Sequence, residues 1–130
     1  KVVLMTTPYY STGEQPNGLP WPEDNPARVD QYNAMVRQVA AENNGKVFVL
    51  DLNKLVDPDG HFQEYIDGVQ VRSTDGIHWT YQGDCWLAPR ILPQIYSIAS
   101  NGVAPTPSTT AALVQHAEST FPVSLCDAPN

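Results

Sequence analysis

Two short apolar runs, Val2-Val3-Leu4-Met5 and Val47-Phe48-Val49-Leu50, flank one segment of helical period, and this arrangement narrows the fold more than any other feature of the chain. Neither run alternates with polar residues, which is the pattern of strands covered on both faces in a parallel sheet. Pro8 ends the first run by removing a backbone donor, and Asp51 closes the second. Between them, Asn25-Pro26 can serve as N-cap and first helical residue, and Asn43-Asn44-Gly45 supplies a stop. The stripe Val29, Tyr32, Val36 and Val39, widened by Met35 and Ala40, should then lie on a sheet. Strand, covering helix and strand make a crossover unit, so the two runs are expected side by side and parallel.

The connections around this unit carry most of the polar chemistry. Residues 9–22 are rich in Gly, Pro and polar side chains and read as a long loop, and long loops after buried strands are often functional. Asp51 stands at the carboxyl end of a strand, where such folds bind ligands; it can equally cap a short helix over residues 52–56. Asp57-Pro58-Asp59-Gly60 is a turn by composition. Residues 62–66 and 69–72, joined by Asp67-Gly68, suit a small hairpin, although a short helix over 62–66 would satisfy the same residues. Thr80 can cap a helix bearing Trp86, Leu87, Ile91, Ile95 and Ile98, which Pro89 and Pro93 are expected to break or kink before it ends at Asn101-Gly102. Beyond it lie a Pro/Thr/Ser-rich connector, a brief helix over residues 111–118, and an irregular tail whose Phe121, Val123 and Leu125 could dock on the body.

A chain of 130 residues suits one modest core. Fourteen acidic residues against seven basic ones give a net charge of -7, which repels phosphate backbones, so nucleic acid is not expected as a partner. No stretch approaches the roughly 20 apolar residues that a bilayer span needs. Cys85 and Cys126 are not spaced like a metal cluster; they could pair across the tail or remain separate thiols.

The chemistry concentrates in Ser73-Thr74-Asp75-Gly76-Ile77-His78-Trp79-Thr80. A three-residue offset lets the Asp75 carboxylate hold one ring nitrogen of His78 while the other faces a substrate, the wiring of a general base. The plainer reading is an Asx-turn at Asp75-Gly76 with His78 as a polar loop residue. Ser11, Thr12, Ser73, Thr74 and Thr80 are nucleophiles by chemistry, yet none sits in a strand-to-helix elbow. His61, Asp67, Asp75 and His78 have metal-ligand chemistry but no metal-ligand spacing. Trp21 and Trp79, with Tyr9 in the long loop, are the candidates for lining a substrate cleft. Arg72 could steady an anionic intermediate or pair with one of the many carboxylates.

Asp75-Gly76-Ile77-His78, followed by Thr80, Gly83 and an apolar helix, resembles the last block of the SGNH (GDSL-like) hydrolases. The resemblance extends to Val2-Val3-Leu4-Met5-Thr6-Thr7-Pro8, to Asp30, Tyr32 and Asn33, and to Val47–Leu50 with Asp51. It is greatest to the SGNH domain fused to bacterial membrane acyltransferases of the acyltransferase-3 family. It implies a flavodoxin-like α/β three-layer sandwich with a parallel sheet. Residues 1–100 would supply the later strands and helices of it, and residues 101–130 a connector and docked tail.

Carried across, His78 is the catalytic base and Asp75 its partner in a serine esterase or O-acyltransferase acting on cell-envelope glycans, with an acyl donor as second substrate and no cofactor or metal. The family's Gly-Asp-Ser block and its Gly and Asn oxyanion donors have no counterpart here, so the missing N-terminal part of the domain or a second chain would complete the sheet, and this chain alone would be inactive. The resemblance further implies a place on the extracytoplasmic side of a bacterial membrane, attached to a membrane acyltransferase module, which favours a disulfide between Cys85 and Cys126. The rival expectation is a catalytically silent glycan-binding or scaffolding domain of the same fold.

Overall fold

Val2–Met5 (β1) and Val47–Leu50 (β2) pair in parallel, Val2 opposite Val47 and Met5 opposite Leu50, in a computed structural model that describes residues 1–11, 15–17, 19, 21–102, 112 and 115. The expected crossover element is Pro26–Glu42 (α1), whose N-cap Asn25 accepts a hydrogen bond from the Ala27 N–H at 2.9 Å. The fold is mixed α/β, with helices around a small parallel sheet of two strands.

The face that α1 buries differs from the expected stripe. Val29, Asn33 and Val36 are buried, while Tyr32, Met35 and Val39 remain about half exposed. Asn33 accounts for the rotation: its Oδ1 accepts from the Thr7 N–H and its Nδ2 donates to the Thr7 carbonyl, both at 2.8 Å. A polar side chain satisfied at both ends can take a core position, and here it pins the exit of β1.

Leu52–Val56 (α2) follows β2 directly, and Asp51 serves it as a cap and joint. Its carboxylate accepts from the Lys54 N–H, from the Thr6 hydroxyl at 3.0 Å, and from Arg37 at 2.9 and 3.0 Å. The hairpin expectation holds: Tyr65–Ile66 (β3) and Val69–Gln70 (β4) are antiparallel, and Asp67 and Gly68 both have positive φ, 52° and 78°, as the mirror-image turn requires.

Tyr81–Asn101 (α3) runs without interruption through Pro89 and Pro93, against the expected break. The side chain after each proline folds back onto the helix. Arg90 Nη1 donates to the Trp86 carbonyl at 2.6 Å, and Gln94 Nε2 donates to the Arg90 carbonyl at 2.7 Å. In both cases the side chain donates to the carbonyl four positions before its own residue, one position past the carbonyl that the proline's missing N–H would have met.

Leu52, Val56, Val71, Trp86 and Leu87 form the main core, with Ile66, Val69, Trp79 and Ile91 packed on it. This core ties α2, the hairpin and α3 together beneath residues 72–80. Gly83 sets the closest approach, since a Cβ there would lie 2.1 Å from the Val71 carbonyl oxygen. Among the described residues β1 pairs with β2 alone, and its Val2 and Met5 are about half exposed. The connector and tail beyond residue 102, apart from 112 and 115, lie outside the described residues, as do Thr12 and Cys126 and therefore the expected Cys85–Cys126 pair.

Candidate active site

Residues 73–78 form a closed loop because its two ends are bonded to each other. The Ser73 N–H donates to the His78 carbonyl at 2.7 Å, and Arg72 and Trp79 form an antiparallel bridge one step further out. Beyond the bridge, Thr80 caps α3 by accepting from the Gly83 N–H at 2.8 Å, while its hydroxyl donates to the Gln70 carbonyl. Gly76 supplies the tight bend at φ 74°.

Within the loop the two oxygens of Asp75 do different things. Oδ1 accepts from the backbone N–H groups of Ile77, at 2.8 Å, and His78, at 3.0 Å. Oδ2 lies 2.7 Å from Nδ1 of His78. The Asx-turn that stood as the plain alternative is therefore present together with the carboxylate–imidazole contact, and it aims the carboxylate at the ring. The side-chain bond to His78 first, and the backbone N–H groups of Ile77 and His78 next, hold the Asp75 carboxyl well below the usual carboxylate range. A permanent carboxylate at Nδ1 selects the Nδ1–H tautomer and leaves the Nε2 lone pair free to accept a proton. The His78 side chain is 77% exposed, and no hydroxyl among the described residues is hydrogen-bonded to Nε2.

The other expected residues are distributed differently. Tyr9 is buried, and its hydroxyl donates to Asp30 at 2.5 Å. This bond is the main cause, ahead of burial, that raises the pKa of its phenol. Its neighbour Tyr10 instead lines, with Trp21, Glu23, Asp24 and Ile77, an open hollow of about 400 Å³ that adjoins the Asp75–His78 loop through Ile77. Trp79 is half-buried, with the Arg72 guanidinium 4.5 Å from its ring centre. Among the candidate hydroxyls, Thr80 is consumed as the helix cap, and Ser73 Oγ accepts from the Asp75 N–H. Asp67, grouped with His61, Asp75 and His78 by ligand chemistry, accepts from Trp86 Nε1 and lies 3.8 Å from Arg90. No group of three or more His, Cys, Asp or Glu side chains that could hold a metal is formed among the described residues.

Two buried charges went unread in the sequence. Arg72 is 1% exposed and forms no ion pair among the described residues, so neither a surface pairing nor a substrate contact describes it. Burial lowers its pKa, and attraction to Asp57 opposes this. Asp57 is also buried, accepting from the Tyr9 N–H at 2.7 Å and the Gln63 N–H at 3.1 Å, and burial pushes its carboxyl up to about 6. Its setting in a Pro/Gly turn carries no sequence signal of burial.

Against known proteins, a family described as "Protein of unknown function (DUF459)", which is associated with SGNH-like hydrolases, matches residues 18–94. Searches of curated proteins and of solved structures found no match.

Proposed function

The chain belongs to the DUF459 family, and from that premise we propose that it carries the acid–base half of an SGNH-type serine acyl-ester hydrolase or O-acyltransferase. The observation that carries this reading is the 2.7 Å contact between Asp75 Oδ2 and His78 Nδ1 on a ring that is otherwise open to solvent. An imidazole oriented by a carboxylate that never protonates in the working range is what a weak hydroxyl nucleophile needs.

The serine and the oxyanion donors come from strands that extend the sheet along the open edge of β1. These belong to a preceding segment of the same polypeptide or to a second chain, and they complete a flavodoxin-like sandwich. His78 Nε2 then takes the serine proton as Oγ bonds to the acyl carbon, and returns it to the leaving oxygen as the old ester bond breaks. The acyl group passes from serine to water or to a sugar hydroxyl, whose proton the ring relays back to Oγ. Asp75 stabilises the imidazolium that forms in each half.

The acceptor is a cell-envelope glycan, met outside the cytoplasmic membrane beside a membrane acyltransferase module. The hollow of Tyr10, Trp21, Glu23, Asp24 and Ile77 favours such a ligand, since aromatic rings stack on sugar faces and carboxylates accept from sugar hydroxyls. The test is turnover of a chromogenic acetyl ester by the sheet-completed protein and its His78→Ala variant. Loss of turnover on the order of 100-fold or more is expected. Unchanged turnover overturns the assignment, and glycan affinity without turnover in the parent leaves a silent binding domain in its place.

A further inference from the structure

We infer that Arg72 is the positioning residue of the Asp75–His78 pair, an assignment that rests on the acid–base reading above. Arg72 is among the largest fully buried side chains in the described structure. Its Nη2 donates to the Ile77 carbonyl at 2.9 Å and lies 3.4 Å from the Gly76 carbonyl oxygen. Those two carbonyls belong to the same two peptide groups whose N–H ends, on Ile77 and His78, donate to Asp75 Oδ1 at 2.8 and 3.0 Å.

Because a peptide group is planar, turning either one breaks a bond at both ends at once. Arg72 holds the Ile77 oxygen and, together with the Ser11 N–H at 3.1 Å, the Gly76 oxygen; Asp75 holds the hydrogens, and the residue carrying the base follows directly. With Oδ1 fixed in this way, Oδ2 has one direction left, toward His78 Nδ1. A buried cation is expensive to keep without a bonded carboxylate. Here Nε and Nη1 have no hydrogen-bond partner, and the guanidinium sits 4.5 Å from the Trp79 ring centre, 5.4 Å from Phe62 and 5.9 Å from Tyr10. The π faces and the attraction of buried Asp57 keep it charged, while the hydrogen bonds it makes, both from Nη2, go to the loop. A methylene chain ending in a single ammonium cannot reproduce the flat fork that lies among these rings.

The test reads the ring of His78 rather than activity. Nitrogen-15 NMR of the full chain, at a pH where the imidazole is neutral, reports the balance of Nδ1–H and Nε2–H tautomers in the parent and in Asp75→Asn, Arg72→Met and Arg72→Lys. The parent is expected in the Nδ1–H form and Asp75→Asn shifted toward Nε2–H. Arg72→Met should follow Asp75→Asn, with Arg72→Lys in between. If Arg72→Met folds, by its circular dichroism and hairpin amide shifts, and keeps the parent balance while Asp75→Asn loses it, the positioning role is overturned and the acid–base pair survives. If Arg72→Met does not fold, Arg72→Lys decides by the same comparison. A parent indistinguishable from Asp75→Asn removes the acid–base reading itself, and the role of Arg72 with it.

Discussion

Gly76 and Ser11 touch so closely that a methyl group at Gly76 would lie 2.1 Å from Ser11 Cβ and 2.9 Å from its Cα. The Ser11 N–H also donates to the Gly76 carbonyl at 3.1 Å, so the loop that leaves β1 is seated directly on the loop that carries Asp75 and His78.

Gly76→Ala should therefore cost more than a left-handed glycine usually does. Gly45 supplies the control: it too has positive φ, 80°, but a Cβ there meets nothing within 4 Å. Gly45→Ala is expected to destabilise by about 1 kcal/mol, the backbone term alone. Gly76→Ala adds displacement of the Ser11 backbone and should cost about 3 kcal/mol or more. Urea unfolding of the two variants measures the difference, and equal values would remove the contact.

Asp57 should make the protein more stable in mild acid than at neutrality. Its folded pKa, raised to about 6 from 3.8 chiefly by burial, means that the folded state binds a proton more tightly than the unfolded chain does. Stability due to this group therefore rises as pH falls from 7 to about 4, by up to about 3 kcal/mol. Asp75 acts in a separate window: its pKa is depressed, so its contribution is present above the ordinary carboxylate range and is lost only in stronger acid. In Asp57→Asn the rise between pH 7 and 4 should disappear, whatever the absolute stability. A melting-temperature series against pH checks this, and a parent-like slope in the variant would assign the effect elsewhere.

Asn33→Leu should destabilise by about 2–4 kcal/mol, because it leaves the Thr7 N–H and carbonyl without their side-chain partners. Tyr32→Ala, on the neighbouring half-exposed face, should cost less than about 1 kcal/mol. Chemical denaturation of the pair tests which face of α1 is the buried one, and the reverse order would restore the apolar stripe.

That pair of residues shows where sequence reading stops. The parallel pairing of β1 with β2 was legible because a continuous apolar run, a capped helix and a second run leave few arrangements open. The hairpin was legible from Asp67-Gly68, and the Asp75/His78 contact from a three-residue offset that a tight loop closes without distant help. The buried face of α1 was not, because a satisfied Asn looks in sequence like any surface Asn; its partner is the backbone of Thr7, twenty-six residues away. The unbroken α3 was not legible either, because local propensity weighs only each proline's missing N–H and ring clash. Arg72 and Asp57 were unreadable for a related reason: charged residues in and beside turns are normally solvated, and only the assembled core beneath the loop takes these two out of water.

The base depends on Asp75 choosing the tautomer of His78, so the decisive measurement is kcat for a chromogenic acetyl ester in the sheet-completed protein with Asp75→Asn. Asparagine keeps an oxygen for the two backbone N–H groups but loses the charge that holds Nδ1–H. A fall in kcat on the order of 100- to 10,000-fold, with the melting temperature nearly unchanged, is the expected result. A kcat equal to the parent's would mean that the imidazole works without its carboxylate, or does not work at all.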